Sequence, residues 1–394
     1  NTHHHFYQTL TRNLPAAQDA PLFDWLVYHY EIWRGLDAEM LAVATRTALA
    51  ELLLSGCTLS SDHHYVFPAG AAPDLIDRQI EVAADLGIRF QPTRGSMSLG
   101  RSAGGLPPDD LCQDEAVILA DSRRLVATYH DPSPGAMFRI DLAPCSPFSV
   151  TEEAMRATAA LARDAGLRLH THLAETLDEE RFCLERHDLR PVDYMDRLGW
   201  LGEDVWFAHG VHLNDREIAR LGDTGTGVAH CPSSNMRLGS GIARVKELLA
   251  AGAPVGLALD GSASNDGNHL LAEARQMLLL SRLRGREHWL GAEEVWRCAT
   301  GGGARLLGRG ELGSIEVGQC ADLALWDLGR LDLAGAQSDP LAALLFAAAA
   351  PRPRWVIVNG AIRVEEGRIP GFDERAQAGI HNEAAAELLR RAGD

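Results

Sequence analysis

Hydrophobic and polar positions follow two alternating patterns between residues 37 and 283. Stretches with apolar residues every three or four positions, typical of amphipathic helices, alternate with short apolar runs that end in a polar residue. Asp37 is the predicted N-cap of the first helix. The predicted helices cover 37–55, 73–87, 109–122, 151–166, 178–199, 214–222, 240–252 and 267–283, and the predicted strands cover 1–5, 58–64, 88–92, 138–144, 167–172, 205–209, 227–231 and 255–260.

Eight strand candidates that alternate with about eight helices predict a parallel sheet, and eight such units predict an α/β fold of the (β/α)8 TIM-barrel type. Two segments interrupt the alternation. Residues 6–36 are rich in aromatic side chains and residues 93–108 in Gly and Ser, and both are predicted as long loops at the barrel mouth. Loops that follow barrel strands usually shape the substrate pocket.

The pattern changes after residue 290. Residues 292–307 predict a helix, and residues 321–326 and 355–360 predict strands, with a turn signal at Asn359-Gly360. These strands are too few for an independent domain. We therefore predict a barrel domain over 1–308 and, over 309–394, the C-terminal β segment of a small β-sandwich with a terminal helix. A segment upstream of Asn1 is expected to complete the sandwich.

Composition restricts the partners of the chain. Its 54 acidic and 37 basic residues give a formal charge of −17, which repels the phosphate backbone and argues against a nucleic-acid partner. A small neutral or cationic substrate remains open. No apolar run reaches the roughly 18 residues that span a bilayer, so no membrane partner is expected. Seven scattered cysteines favour a reduced, cytoplasmic protein. The apolar segment 341–350 fits either the core or the subunit contact of a homo-oligomer.

Histidines and an aspartate recur where the predicted strands end. His3 and His5 share one face of the first strand, because side chains two positions apart point the same way. His172 and His209 end two further strands, and Asp260 ends the last. A barrel gathers these strand ends around one mouth, so the five side chains are predicted to meet in a metal site.

These motifs resemble those of the amidohydrolase superfamily, and they are similar to its branch that acts on purines, pterins and triazines. Residues 313–318 with 321–323 resemble the return of that branch into its β-sandwich, whose N-terminal β segment this sequence lacks. Within the branch, the motif sequences are most similar to those of the 8-oxoguanine deaminases. The motifs that carry the resemblance are Thr2-His3-His4-His5, His172-Leu173-Ala174-Glu175, Ala208-His209-Gly210-Val211-His212, His230-Cys231-Pro232-Ser233-Ser234-Asn235 and Leu259-Asp260-Gly261.

The resemblance implies one divalent ion, zinc by the type of its ligands, with Fe(II) left open. Members with two metals bridge them with a carboxylated lysine at the end of the fourth strand. Lys246 is the only lysine of the chain and lies outside that strand, which argues for a single ion. The implied ligands are His3, His5, His172 and Asp260.

The resemblance also implies the chemistry. Glu175 is expected to be the general base and then the acid, His209 to orient the water and stabilise an oxyanion, and Asp260 to accept a further proton. The expected reaction is hydrolytic deamination of a flat, nitrogen-rich heterocycle, 8-oxoguanine to urate and ammonia. The residues expected to contact the substrate are Gln8, Trp33, Arg94 and Ser98.

Two groups of alternatives stay open. Isoxanthopterin, guanine and s-triazine amino- or chlorohydrolases share many residues of the same motifs. A catalytically inactive metal-binding scaffold belongs to another class, and the intact set of Glu175, His209 and Asp260 argues against it.

Overall fold

The computed structural model describes residues 1–393 and contains one sheet of seven parallel strands in chain order. An extended segment, residues 1–5, closes this sheet. The N–H of Thr2 donates to the carbonyl of Leu257 at 3.2 Å, and the N–H of Ser61 donates to the carbonyl of Asn1 at 2.9 Å. The predicted barrel is therefore confirmed. Its strands are β1 (Leu59–His64), β2 (Arg89–Ser96), β3 (Asp141–Pro144), β4 (Leu169–Leu173), β5 (Val205–His209), β6 (Gly227–His230) and β7 (Val255–Leu257).

Helices surround the sheet largely where periodicity predicted them. Asp37 caps the second helix by accepting the N–H of Met40 at 2.8 Å. The predicted helix 178–199 is two helices, because Pro191 starts a new one and cannot donate to a preceding turn. The helices are α1 (Leu22–Trp33), α2 (Ala38–Ser55), α3 (Leu75–Leu86), α4 (Glu115–Tyr129), α5 (Glu152–Asp164), α6 (Leu177–His187), α7 (Pro191–Arg197), α8 (Asp215–Thr224), α9 (Pro232–Arg237), α10 (Val245–Ala250), α11 (Leu270–Ser281), α12 (Ala292–Arg297) and α13 (Gly303–Leu306).

Two predicted loops are partly regular structure. Residues 6–36 contain α1, whose buried face includes Leu22, Trp25 and Leu26 at helical spacing. Burial of this face outweighs the modest helix propensity of its aromatic residues. Strand β2 continues to Ser96 because its last four residues pair with β3, so the second loop begins later than predicted.

A small antiparallel sheet follows the barrel, in the order β10 (Ala361–Glu365), β9 (Trp355–Val358) and β8 (Leu323–Leu325). Asn359 and Gly360 link two of these strands with φ values of 50° and 78°, as a type I′ hairpin turn requires. The predicted terminal helix is α15 (Glu374–Ala392), which returns to the barrel, where His381 Nε2 donates to the carbonyl of Thr9 at 2.9 Å. The domain boundary at residue 308 stays a prediction.

Three structural observations concern the predicted location and assembly of the protein. Across residues 1–393, no helix is both long and apolar enough to cross a bilayer. All seven cysteines are free thiols. In α14 (Pro340–Phe346), Leu344 and Leu345 are buried while Leu341 is 55% exposed, so the apolar segment contributes in part to the core. A cytoplasmic location and a homo-oligomer stay predictions.

Arg89 ties the barrel to the small sheet, and its loss should destabilise the protein. Its fully buried guanidinium donates to both carboxylate oxygens of Asp322, at 2.8 and 3.0 Å. Arg89→Ala would leave that buried carboxylate unpaired, so we expect the free energy of unfolding to fall by about 3–5 kcal/mol. A lower Tm in thermal denaturation, with no shift for the exposed Arg123→Ala, is the expected result. Equal Tm values for both variants would refute the role of this ion pair.

Candidate active site

The four predicted ligands meet at the C-terminal mouth of the barrel. Asp260 Oδ1 lies 3.3 Å from His3 Nε2 and 3.2 Å from His5 Nε2. The Nε2 atoms of His5 and His172 are 3.1 Å apart. All four side chains are buried. The strand ends thus bring together residues that are up to 257 positions apart in the sequence.

Hydrogen bonds fix which ring nitrogen of each imidazole faces the centre. His5 Nδ1 donates to the carbonyl of His63 and His172 Nδ1 to that of Cys145, both at 2.7 Å. His170 Nδ1 donates to the carbonyl of Trp206 at 2.8 Å, which leaves His170 Nε2 as an acceptor for His3 Nδ1–H at 2.7 Å. Because each Nδ1 carries the hydrogen of its bond, the Nε2 atoms of His3, His5 and His172 are the ring nitrogens that face the centre of the site. Such outer partners commonly orient metal ligands.

This arrangement fits a divalent metal ion. Two unprotonated nitrogens 3.1 Å apart, those of His5 and His172, repel each other unless a cation lies near both. The buried Nε2 of His3 has no hydrogen-bond partner. Burial holds the pKa of His3 and of His172 well below the usual value, so both stay in the neutral form that binds metals. Three imidazoles and one carboxylate are a suitable donor set for such an ion.

His209 and Glu175 lie beside the ligand set. His209 Nε2 is 3.5 Å from Glu175 Oε2 and 3.9 Å from Asp260 Oδ2, and its Nδ1 lies 2.9 Å from Asn235 Oδ1. Because Asn235 Oδ1 can only accept, His209 Nδ1 carries a hydrogen, and Nε2 can donate to a negatively charged oxygen only when the imidazole holds a second proton. It is also within metal-binding reach, because ligand atoms of His209, His3, His172 and Asp260 all lie within 4.8 Å of one another.

Burial sets the acid–base character of Glu175. The side chain is almost inaccessible to water, and this burial, followed by the nearby charge of Asp260, raises the pKa of Glu175 well above its ordinary value. Ser240 Oγ donates to its Oε1 at 3.4 Å. A carboxyl group with a raised pKa binds a proton more readily than an ordinary glutamate, which suits a group that accepts and returns a proton in general acid–base catalysis.

The backbone is strained where the site residues leave their strands. His209, Asp260 and Ala174 have φ values of 75°, 64° and 53°, in the left-handed region that side chains disfavour. Gly261 lets the side chain of Gln8 approach the backbone closely, because a Cβ at this position would lie 1.8 Å from Gln8 Oε1. Backbone strain of this kind clusters at functional sites. Here it occurs where the strands end at the barrel mouth.

Further hydroxyl groups hold Asp260. Ser234 Oγ and Ser264 Oγ donate to Asp260 Oδ2 at 2.6 and 3.1 Å. The buried carboxylate of Glu273 accepts the N–H of Ser233 at 2.7 Å and the side-chain amide of Asn265 at 3.1 Å, which fixes both hydroxyl-bearing segments. Sequence reasoning missed Ser264 and Glu273. Their only signal was a polar run after Asp260 and a glutamate on a neighbouring helix.

A cavity adjoins the site and is lined by both polar and apolar side chains. Gln8 lines it together with His5, His172 and Asp260, three of the predicted metal ligands. The remaining polar walls are Tyr65, Cys145, Glu175, His209 and Ser264, and the apolar walls are Leu22, Trp25, Leu26, Phe148 and Leu238.

Three of the predicted substrate contacts do not line this cavity. Trp33 is buried beneath it, where Nε1 donates to Thr11 Oγ1 at 3.2 Å. Arg94 lies on the face of β2 that points away from the barrel interior, and its Nε donates to Asp121 Oδ2 at 3.0 Å. Ser98 Oγ accepts the N–H of Thr151 at 3.0 Å, at the start of α5. The aromatic wall is formed instead by Trp25, two turns before Trp33 on α1.

Comparisons with known proteins agree with this geometry. The model of the amidohydrolase family matches residues 1–363. An 8-oxoguanine deaminase of Pseudomonas aeruginosa is 55% identical over 389 residues, which are 99% of this chain and 86% of that protein. An isoxanthopterin deaminase of an unknown prokaryotic organism is 38% identical over 408 residues, 99% and 84% of the two chains. A crystal structure of atrazine chlorohydrolase from Arthrobacter aurescens TC1, complexed with zinc, has a TM-score of 0.94 at 35% identity. The match covers 98% of this chain and 86% of that one.

Proposed function

Because this chain belongs to the amidohydrolase family, we propose that it is a metal-dependent aminohydrolase that converts 8-oxoguanine to urate and ammonia. The observation that carries this proposal is the meeting of Glu175, His209 and Asp260 beside the ligand imidazoles at the wall of one cavity. The 8-oxoguanine deaminase that is 55% identical supports the choice of substrate.

We assign the metal ligands to His3, His5, His172 and Asp260, and the ion to a single Zn²⁺, with Fe²⁺ compatible with the same donors. When bound, the ion lowers the pKa of a water from 15.7 towards about 7. The zinc complex of the related chlorohydrolase supports this assignment. The position of the only lysine supports a single ion, because Lys246 lies on α10 and pairs with Glu294 at 2.5 Å, away from the mouth.

The side chains of the site can then move the protons of a hydrolytic deamination. Glu175 Oε2 takes a proton from the attacking water and delivers it to the ring nitrogen next to the carbon that bears the amino group. A protonated His209 Nε2 donates to the oxygen on which negative charge develops. Asp260 Oδ2 takes the second proton from the added hydroxyl group and passes it to the amino nitrogen. The C–N bond then breaks, and ammonia and a carbonyl product remain.

Substrate recognition is assigned to the cavity wall. The Gln8 amide lies where it can pair with the amide edge of an oxopurine, and Trp25 offers an aromatic face above the apolar part of the cavity. Isoxanthopterin, guanine and s-triazines are also flat and rich in nitrogen, so they remain the alternative substrates. An inactive scaffold is less compatible with a buried glutamate whose pKa is raised beside the ligands.

A panel of substrates tests the proposal. The purified, metal-loaded protein is incubated with 8-oxoguanine, guanine, isoxanthopterin and an amino-s-triazine, and the release of ammonia is measured. The highest kcat/KM is expected for 8-oxoguanine. Ammonia release from none of the compounds would refute an aminohydrolase function, whereas a clear preference for isoxanthopterin or the triazine would correct the substrate only.

Replacement of Trp25 should weaken substrate binding. Stacking of a base on an aromatic side chain contributes about 1–3 kcal/mol, so Trp25→Ala is expected to raise KM by about 5- to 100-fold. Trp25→Phe keeps an aromatic face and should retain most of the affinity. Steady-state kinetics provides the measurement, and Trp289→Ala, at a partly exposed tryptophan outside the cavity, is the control. An unchanged KM for Trp25→Ala would exclude Trp25 from the binding wall.

A further inference from the structure

Glu179 is a buried carboxylate next to the site, and the proposed proton transfers do not use it. It lies on α6 and is inaccessible to water. Its Oε1 accepts the N–H of Ala174 at 2.8 Å, and its Oε2 accepts the N–H of Glu175 at 2.9 Å. Both oxygens of the carboxylate thus hold the two backbone groups that lead into the catalytic glutamate.

The turn that Glu179 holds is strained and is also held from the opposite side. Ala174 has a φ of 53°, a conformation that a residue with a side chain disfavours. Its carbonyl accepts the N–H groups of Val211 and His212, both at 2.9 Å, from the loop that follows β5. The turn after β4 is therefore fixed between α6 and the chain segment that begins at His209.

Local sequence explains why the carboxylate reaches this turn. Thr176 is the N-cap of α6, and its side chain accepts the N–H of Glu179 at 3.4 Å. A glutamate at this position usually reaches back to the N–H of the N-cap residue itself. Here the carboxylate extends one and two residues further, to Glu175 and Ala174, so it supports the turn before the helix.

We propose that Glu179 is a positioning residue, which holds the strained Ala174–Glu175 turn so that the Glu175 carboxylate stays 3.5 Å from His209 Nε2. This inference rests on the proposed function, because it assigns a task to Glu179 only through the catalytic role of Glu175. Loss of outer hydrogen-bond partners at enzyme sites commonly costs about 10- to 100-fold in activity.

The substitution Glu179→Gln tests this inference. The amide keeps the size of the side chain, but its NH2 group would face a backbone N–H, so one donor of the turn loses its acceptor. We expect kcat to fall by about 10- to 100-fold, with KM and metal content close to those of the wild type. Glu185→Gln is the matched control, the same change at an exposed position of α6, and should leave kcat unchanged.

A double-mutant cycle separates positioning from a general structural role. In the Glu175→Gln background, single-turnover rates at high enzyme concentration should show no further loss when Glu179→Gln is added. The same fold-loss in both backgrounds, or a wild-type kcat for Glu179→Gln alone, would overturn the inference. If Glu179→Gln does not fold, as judged by its Tm, Glu179→Asp is used, which keeps the charge but is too short for both N–H groups, and its kcat is judged by the same two outcomes.

Different results would reveal a failure of the proposed function and a failure of the positioning role of Glu179. Ammonia release by the wild type from none of the substrates would contradict the proposed function itself, and an unchanged kcat in Glu175→Gln would contradict the role of Glu175 within it. Loss of turnover in Glu175→Gln together with an unaffected Glu179→Gln would leave the proposed function standing and would overturn only the positioning role.

Discussion

Glu175→Gln is expected to reduce ammonia release to a small residual rate while the metal stays bound. The substitution preserves the shape of the side chain but removes the group that takes up and returns the proton. General acid–base catalysis contributes about 10²- to 10⁴-fold, so kcat should fall by at least that range. The measurement combines initial rates with metal analysis of the same dialysed sample, because Glu175 lies outside the assigned ligand set.

Two results would contradict this prediction in different ways. An unchanged kcat would exclude Glu175 as the proton carrier. Loss of metal together with activity would instead make Glu175 part of the ligand set. The exposed Glu185→Gln variant, with the same change of charge, should behave as the wild type in both measurements.

Asp260→Asn is expected to remove the metal and, with it, turnover. Asp260 supplies the only charge among the assigned ligands, and its Oδ1 lies between the Nε2 atoms of His3 and His5. The loss of metal affinity should exceed the about 10- to 100-fold that removal of an outer partner costs. Metal per chain, measured after dialysis against a chelator, is the readout.

The Asp260→Asn variant should also lose the stabilisation by metal. An ion that binds only the folded chain raises the Tm, so added Zn²⁺ should raise the Tm of the wild type and leave that of the variant nearly unchanged. Asp223→Asn, at an exposed position, is the control. A variant that retains one metal per chain would show that Asp260 is not a required ligand.

The sequence predicted which side chains meet at the barrel mouth, because its signals are local and the geometry of a barrel is generic. His3 and His5 share a face through the two-residue period of an extended chain, and every barrel brings strand ends such as His172 and Asp260 to one mouth. These predictions needed the register of single strands only. No knowledge of packing between distant segments was required.

The sequence could not predict which side chains line the cavity, because this depends on how long elements pack. Trp25 and Trp33 both lie on α1, and only the orientation of that helix on the barrel decides which of them faces the cavity. Arg94 was placed on a loop, whereas β2 extends through it and turns its side chain outward to Asp121. Glu179 gave no signal at all, since its partners are backbone N–H groups of a strained turn.

The central claim is most directly tested by following 8-oxoguanine itself. Purified protein loaded with one equivalent of Zn²⁺ is mixed with this compound, and the product is identified while ammonia is counted. Urate and ammonia in equal amounts, formed by the wild type and at only a small residual rate by Glu175→Gln, are the predicted result. An 8-oxoguanine sample that remains unchanged, in the presence of bound metal and a folded chain, would contradict the account.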